Sequence, residues 1–335
     1  MLNCNYNYMS DRKNWLGIDG GFGYFKAVFY DENGKLSFVK FLSVLAYADN
    51  EHKFEFLVEY KGNRYWLGEQ ALLQPTDKIH DIKDYSSLKK YHPILLHHAI
   101  KLAGKLDRAR KGMLNIVIGL SAAHSSDQEA FKKDNIEYEI DGERFHHNCI
   151  MFQEQAGGAI KALSQVIKSK SKLSSFLVVD GGFNTLDIAQ VFLNGDGSYS
   201  VASLGAHEGK GFTMVAEQVR SFIMKEFKTN VSLKEATQII ENEKYELRGV
   251  THNLKNTINK IKSTYSKGLY NFLEKKYGEY FDKSPAVYFV GGIAYFIDEN
   301  IAENFKVVDK AEYYNALGYL LQGIDTFKQE KEKNK

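Results

Sequence analysis

The sequence has few of the residues that hold small secreted or zinc-bound proteins together. Its 335 residues include only two cysteines, Cys4 and Cys149, which are far apart and form no CxxC pair. They predict neither a disulfide framework nor a zinc site, so we expect a reducing compartment, the cytoplasm. The 3 prolines, with 44% hydrophobic residues, argue against long disordered stretches.

Long hydrophobic runs and a charge of one sign are also lacking. No apolar run approaches the ~20 residues that a bilayer-spanning helix requires. The first residues, MLNCNYNYMSDRKN, lack the apolar core of a signal peptide. The formal net charge of +2 neither demands nor excludes a nucleic-acid partner. We therefore expect a soluble intracellular protein with no membrane contact.

Hydrophobic patterning predicts an α/β protein with two similar halves. Continuous apolar runs at 114–120 and 176–179 are typical of buried strands. The order strand, Asp-Gly-Gly-Phe, strand occurs near residue 16 and again near residue 177, and the length also favours two domains.

The other elements are expected as follows. We predict one strand over 35–48 and one long helix over 85–111, entered near Pro93 or just before it. Helices should occupy 211–283, with breaks around Gly249 and Gly278.

A first glycine cluster follows the strand near residue 16. It comprises Asp19, Gly20, Gly21, Phe22 and Gly23. Glycines in such a turn let backbone N–H groups approach a phosphate closely, and Lys26 on the next strand could add a positive charge. The alternative is a plain hairpin whose aspartate only caps the turn.

A second cluster repeats the arrangement. It comprises Asp180, Gly181, Gly182, Phe183, Asn184 and Thr185, with Asp187 beyond it. Two such turns facing each other could grip a polyphosphate, and Asp19 and Asp180 could hold Mg²⁺ through its waters.

A third cluster, Gly291, Gly292 and Ile293, follows another strand. A glycine pair leaves room for an adenine or ribose against the backbone, although glycines that cap helices are also common. The third cluster is evidence for a nucleotide site only because it follows the two phosphate turns in order.

Together these segments resemble the actin-like ATPases, a superfamily that includes chaperone and sugar-kinase domains. WLGIDGGFGYFKAV resembles the first phosphate motif, DxGxGxxK, and VVDGGFNTLDIAQV the second, DxGxxTxD, in the form found in ParM-type plasmid-segregation actins and their archaeal relatives. YFVGGIAYF resembles the adenosine motif, and Ala316-Leu317-Gly318 the second connecting helix. The five motifs occur in family order over residues 15–323.

The fifth motif is the first connecting helix, MFQEQAGGAIKAL. The resemblance implies that an acid or amide at its start orients the attacking water, and Glu154 is the expected residue. The family's proline after the glutamate is missing here, so Gln153 and Gln155 stay open as alternatives. Glu154 could also act only on the electrostatics of the helix N-terminus.

A further segment, Ser203-Leu204-Gly205, resembles the family's loop that touches ribose and phosphates, before a helix beginning near Gly211. Glu208 and Lys210 could bracket the nucleoside there, or be exposed loop charges.

The resemblance implies two actin-type, ribonuclease H-like α/β domains around a central nucleotide cleft, each with a small inserted subdomain. Residues 15–160 with a C-terminal helix at about 313–329 would form one domain, and 171–310 the other. The implied activity is ATP hydrolysis, with GTP as the alternative nucleotide and Mg²⁺ as cofactor.

The implied role is assembly into dynamic filaments for plasmid segregation. Self-association and an adaptor bound to centromere-like DNA are therefore the expected partners, without direct nucleic-acid contact. Two other functions remain open: a sugar-type kinase of the same superfamily, which the lack of large inserts disfavours, and a non-polymerising ATP-binding adaptor of the PilM type.

Overall fold

The chain folds into two compact units. One contains residues 1–162 and 313–335, and the other residues 163–312. A computed structural model describes residues 11–48, 57–120, 122–154, 157–168, 175–194 and 198–333.

The described residues form strands and helices in alternation along the chain. The strands are β1 (Trp15–Gly20), β2 (Tyr24–Tyr30), β3 (Leu36–Leu42), β4 (Val44–Tyr47), β5 (Leu57–Tyr60), β6 (Asn63–Leu67), β7 (Ile79–Asp81), β8 (Asn115–Leu120), β9 (Glu137–Ile140), β10 (Glu143–His146), β11 (Cys149–Glu154), β12 (Ser175–Gly181), β13 (Thr185–Leu193), β14 (Tyr199–Glu208), β15 (Lys244–Leu247), β16 (Val250–Asn253), β17 (Val287–Gly291) and β18 (Phe305–Val307). The helices are α1 (Tyr85–Leu102), α2 (Leu106–Arg110), α3 (Gln128–Ile136), α4 (Gly157–Lys168), α5 (Thr213–Phe227), α6 (Leu233–Asn242), α7 (Lys255–Lys283) and α8 (Tyr314–Lys333).

The central sheets of the two units have the same topology. In the first unit the strand order is β3-β2-β1-β8-β11, and in the second it is β14-β13-β12-β17-β18. In each sheet three antiparallel strands are followed by two that run parallel to the third. The repeat predicted from the sequence is therefore a repeat of the whole sheet.

Burial explains why β1 and β8 are nearly uniform apolar runs. Every residue of both strands is buried, because helices cover both faces of this mixed sheet around its parallel pair β1 and β8. Helix α8 covers one face, where Tyr319 and Leu320 pack in a cluster with Trp15, Val28 and Val117.

Two predicted elements of the first unit are divided in the structure. The single strand expected over 35–48 is wrong, because the chain leaves the central sheet at Ser43 and continues as β4 in a four-stranded sheet. The single helix expected over 85–111 ends at Leu102, where Gly104 at φ 67° turns the chain. Pro93 lies inside α1, which begins at Tyr85 after the capping side chain of Asp84.

The second unit departs from the prediction at a hairpin. The break expected near Gly249 is the β15–β16 hairpin, whose two strands were not predicted. The break expected near Gly278 lies at the neighbouring Tyr277, which has non-helical backbone angles inside α7.

No helix in the described part of the chain has both the length and the apolar character to cross a bilayer.

Candidate functional site

Turn 1, residues Gly21–Tyr24, joins β1 to β2 as a tight hairpin. The Gly21 N–H donates to the Tyr24 carbonyl at 3.2 Å, which leaves Phe22 and Gly23 in the loop. Ser43 fixes this loop, because its N–H donates to the Gly23 carbonyl at 3.0 Å and its Oγ to the Gly21 carbonyl at 2.6 Å. One fully buried serine therefore sets the carbonyl side of turn 1.

The predicted cation of turn 1 lies directly beside its carboxylate. Asp19 and Lys26 are cross-strand partners, and Lys26 Nζ lies 2.8 Å from Asp19 Oδ2. Their side chains are only 10% and 12% exposed, so this ion pair is shielded from solvent. Lys26 therefore neutralises Asp19 as well as contributing charge at the turn.

A buried neutral histidine lies against the end of β1. A Cβ on Gly20 would lie 3.3 Å from His92 Nε2, and His92 Nδ1 donates to Asn135 Oδ1 at 2.6 Å. Burial lowers the pKa of His92 to about 4, so its ring is uncharged near pH 7. The close packing explains the glycine at this position.

Turn 2, residues Gly182–Thr185, joins β12 to β13 by the same hairpin. The Gly182 N–H donates to the Thr185 carbonyl at 2.9 Å, which leaves Phe183 and Asn184 in the loop. Within the described residues the N–H groups of Phe183 and Asn184 donate no hydrogen bond. Adjacent N–H groups in a tight turn are suited to binding an anion.

Helix α5 supports turn 2 from behind. The N–H groups of Phe212 and Thr213 donate to the carbonyls of Gly182 and Phe183, at 3.1 and 2.8 Å. Gly211 has no room for a Cβ, which would lie 2.6 Å from the Gly182 carbonyl oxygen. The backbone N–H groups at the N-terminal end of α5 therefore hold two carbonyl groups of turn 2 in place.

The residues that face each other across the strands beside turn 2 are two acids. Beside turn 1 they are an acid and a base. Asp180 and Asp187 are direct cross-strand partners, and Asp180 is 7% exposed. Burial raises the pKa of Asp187, whose side-chain carboxylate makes no hydrogen bond or ion pair within the described residues. Like charges directly opposite destabilise a sheet, and a divalent cation would relieve that repulsion.

The third cluster abuts turn 2. Gly291, at φ 75°, is the cross-strand partner of Gly181, and a Cβ on it would lie 2.6 Å from Asp180 Oδ1. Ile293 is fully buried and packs on Gly181, while Gly292 is half-buried. The second and third clusters thus lie together at the carboxyl ends of the parallel strands β12 and β17, where open α/β sheets bind ligands.

Helix α7 adds side chains that the sequence did not single out. Ser266 Oγ donates to the Phe296 carbonyl at 2.6 Å, and Lys262 Nζ lies 5.3 Å from the Phe296 ring centroid. The Tyr265 hydroxyl donates to the Lys210 carbonyl at 2.9 Å. Helix α7 therefore joins the segment after Gly292 to the segment before α5.

The loop expected at 203–205 is wrong, because these residues lie within strand β14. Gly205 marks a bulge in that strand, and Glu208 is its exposed last residue. Lys210 follows in the connection to α5, with its Nζ 5.5 Å from the Phe272 ring centroid.

The predicted water-orienting residue stands at the end of a strand. Glu154 is the last residue of β11, and α4 begins at Gly157. Gln155 and the side chain of Glu154 lie outside the described part of the structure. Gln153 is half-buried, and its Nε2 would lie 3.4 Å from a Cβ placed on Gly157.

Two helices of the first unit touch through glycines. A Cβ on Gly318 of α8 would lie 1.8 Å from the carbonyl oxygen of Gly158 in α4. Asn315 Oδ1 accepts from the Ala159 N–H at 3.0 Å. The start of α4 is therefore fixed against α8, and any side chain at Gly318 would separate them.

Comparison with known families agrees with this geometry in both units. Residues 17–149 match the family model of the Actin like proteins N terminal domain, and residues 178–303 match that of the Archaeal actin homologue MreB-like, C-terminal. The chain belongs to the actin-like proteins. No curated protein matches its sequence.

Solved structures show the same two-domain fold as this actin-like chain. A Clostridium botulinum ParM solved as a 15-stranded filament has a TM-score of 0.71 and 20% identity, covering 93% of this chain and 99% of that one. The archaeal actin homologue Ta0583 has a TM-score of 0.69 and 18% identity, covering 92% and 98%. A Bacillus thuringiensis ParM solved with ATP has 0.61 and 15%, covering 92% and 98%. The expected actin-type α/β fold is confirmed.

In the actin-like chain, Asp187 and Ser43 are the candidate residues that sequence reasoning left without a role. Asp187 could have been found, because a two-residue loop fixes the hairpin register and pairs Asp180 with Asp187. Ser43 could not, since it comes from another part of the chain.

Proposed function

We propose that this actin-like protein binds and hydrolyses ATP and assembles into dynamic filaments. The observation that carries the proposal is the pair of matching turns, each following a buried aspartate at the end of a central strand. The proposed nucleotide-binding halves are residues 15–160 with 313–329, and residues 171–310.

The two turns would bind the phosphates through backbone N–H groups. The contributing residues that we propose are Gly20, Gly21, Phe22, Gly23 and Lys26 in the first half and Gly181, Gly182, Phe183, Asn184 and Thr185 in the second. The opposed pair Asp180–Asp187 supports a divalent cation there, and we add Asp187 to Asp19 and Asp180 as carboxylates that would hold it, partly through water. Bound Mg²⁺ would neutralise the charge that develops on the transferred phosphoryl group.

The nucleoside would lie against Gly291 and Gly292, which carry no side chain. Gly205, Glu208 and Lys210 were also expected there. The bulge places Gly205 in β14, so we assign nucleoside contact in this segment to Glu208 and Lys210. Ile293 would contribute through its backbone, because its side chain is in the core.

Glu154 remains the residue that we propose orients the attacking water, with Gln153 and Gln155 as the alternatives. Its position, three residues before α4, is supported by the close contact of α4 with α8.

Filament assembly is supported by the likeness to the Clostridium botulinum ParM, which was solved as a filament. ATP is favoured by the Bacillus thuringiensis ParM solved with ATP and by Ta0583 solved with ADP, and GTP is the alternative. Plasmid segregation through a DNA-bound adaptor is the cellular role that we propose for the filament.

The test follows light scattering and phosphate release after Mg²⁺ and ATP are added. Glu154→Ala should still bind ATP and polymerise, while phosphate release falls on the order of 10²-fold, because a lost orienting group costs chemistry more than binding. Its filaments should outlast those of the unmodified protein. Glu129→Ala, an exposed glutamate of α3, is the matched control and should change neither signal.

Unchanged phosphate release in Glu154→Ala would move the role to Gln153 or Gln155. Absence of both signals in the unmodified protein, with either ATP or GTP, would refute the proposed function. Hydrolysis without an increase in light scattering would indicate the alternative function, a non-polymerising ATP-binding adaptor.

A further inference from the structure

Two irregularities of the second unit meet at one point, away from the tips of the turns. Tyr277, at φ −128° and ψ 21°, interrupts the 29-residue helix α7. Strand β14 bulges opposite Ile188 and Ala189, which leaves Leu204 as the extra residue. Bulges and helix kinks cost regular hydrogen bonds, so their coincidence calls for a local cause.

A chain of hydrogen bonds links the kink to the bulge. Lys276 Nζ donates to His207 Nδ1 at 3.5 Å, and His207 Nε2 lies 2.5 Å from the Tyr277 hydroxyl. That hydroxyl donates to the carbonyl of Leu204 at 3.5 Å. The donors and acceptors match one arrangement of protons, in which His207 is neutral and donates through Nε2.

The bulge also makes room for the tyrosine. A Cβ on Gly205 would lie 2.7 Å from the Tyr277 hydroxyl oxygen, closer than such atoms approach. Any other residue at 205 would therefore displace Tyr277. We call the contact of Tyr277 with Leu204, Gly205 and His207 the Tyr277 latch.

The latch lies on the strand that pairs with the second half of turn 2. Leu204 and His207 are on either side of Ala206, which is the cross-strand partner of Asp187, and Glu208 is the partner of Thr185. β14 is the edge strand of its sheet, so β13 is its only strand neighbour among the described residues. Asp187 is therefore flanked by β12 on one side and by this end of β14 on the other, so one of its two strand pairings comes from the segment that the latch holds.

We propose that Tyr277 is a positioning residue, which fixes the end of β14 through the latch and so places Asp187 and Thr185 for cation and phosphate binding. The expected effect on hydrolysis rests on the proposed function. The expected effect on the stability of β14 rests on the contacts of Tyr277 alone. The hydroxyl group is the part of Tyr277 that matters, since its ring only packs.

The experiment compares Tyr277→Phe and Gly205→Ala, which break the latch from opposite sides. Both should raise the Mg²⁺ concentration for half-maximal hydrolysis about 10-fold at saturating ATP, the scale typical of a lost supporting contact at a metal site. The maximal rate at high Mg²⁺ should change much less. Tyr270→Phe is the matched control, because among the described residues that hydroxyl hydrogen-bonds only to exposed Glu274 on the same helix.

Hydrogen exchange tests the same latch without any nucleotide. In both variants the amides of 204–208 should exchange faster together with those of 274–281, while those of 255–270 keep their rates. If the unmodified protein hydrolyses no nucleotide, the proposed function fails and exchange alone decides on the latch. Unchanged exchange over 204–208, or an unchanged Mg²⁺ requirement in an active enzyme, overturns the inference.

Discussion

Turn 1 and turn 2 share a backbone and differ in chemistry. Both are hairpins with two-residue loops after a buried aspartate, yet the residue opposite that aspartate is Lys26 in one and Asp187 in the other. Turn 1 is therefore neutral in itself, whereas turn 2 carries opposed carboxylates. The repeat has kept the scaffold and changed the charge, so the two turns are suited to different parts of a metal–phosphate ligand.

The surroundings of the turns differ as well. The carbonyls of turn 1 are held by one side chain, Ser43, and those of turn 2 by the first backbone N–H groups of α5. Among its described residues, the unit around turn 1 also buries four histidines, and burial lowers the pKa of each, to about 4 for His92, His97 and His98 and about 3 for His147. This unit should therefore be the more acid-sensitive.

The largest effect that we expect is a loss of stability of the first unit in acid. In the unfolded chain these histidines become protonated below their ordinary pKa of 6.5, whereas in the folded chain the buried rings stay neutral until about pH 4. The free energy of unfolding therefore falls as the pH is lowered from 7 toward 4. Each histidine contributes on the order of 3 kcal/mol across that window. Trp15 and Trp66, the only tryptophans, both lie in this unit, so their fluorescence in urea reports its unfolding.

The test variant is His97→Phe, because His97 is buried among the rings of Tyr138 and Phe145. The matched control is His146→Gln, because His146 is exposed. The first should flatten the dependence of the urea midpoint on pH, and the second should not. A midpoint that stays constant between about pH 7 and 5 would contradict the difference between the units.

The next effect tests the charge difference between the turns. Asp187→Lys gives turn 2 the acid–base pair of turn 1, so hydrolysis should fall on the order of 10²-fold as a proposed metal ligand is lost. The urea midpoint of the second unit, followed by far-UV circular dichroism because both tryptophans lie in the first unit, should hold or rise, because opposed like charges are removed. Asp282→Lys, an exposed site on α7, controls for the change in net charge and should leave the rate unaltered. Retained hydrolysis in Asp187→Lys would mean that the two turns are chemically equivalent.

The smallest effect concerns the support of turn 1. Ser43→Ala removes the buried donor to the Gly21 carbonyl and should lower the free energy of unfolding by about 1–3 kcal/mol. Ser37→Ala on β3, where the hydroxyl reaches a carbonyl only at 3.5 Å, is the control. Tryptophan fluorescence in urea measures both. Equal midpoints would show that Ser43 does not hold the turn.

The sequence predicted the hairpins because their signals are local. Glycines next to apolar strands predicted both turns. Periodicity could not show that the chain changes sheets at Ser43, because a strand alternates in the same way in either sheet.

The candidate site was predictable in its residues and less so in its contacts. The three glycine clusters follow strands as expected, but the neighbour of Lys26 and the buried side chain of Ile293 depend on cross-strand register and packing. The segment around Gly205 was expected as a loop because Ser203-Leu204-Gly205 resembles the family's loop that touches ribose and phosphates. Pairing with β13 makes it a bulged strand instead.

The place of α8 in the first unit bears on how the chain folds as it is synthesised. Trp15, Val28 and Val117 emerge from the ribosome early, yet the face they form is covered by Tyr319 and Leu320 of α8, which follow after the whole second unit. At roughly 5–20 residues per second that face waits on the order of ten seconds or more for its cover. Until α8 has been synthesised, the nascent chain therefore exposes this apolar face of its first unit to solvent.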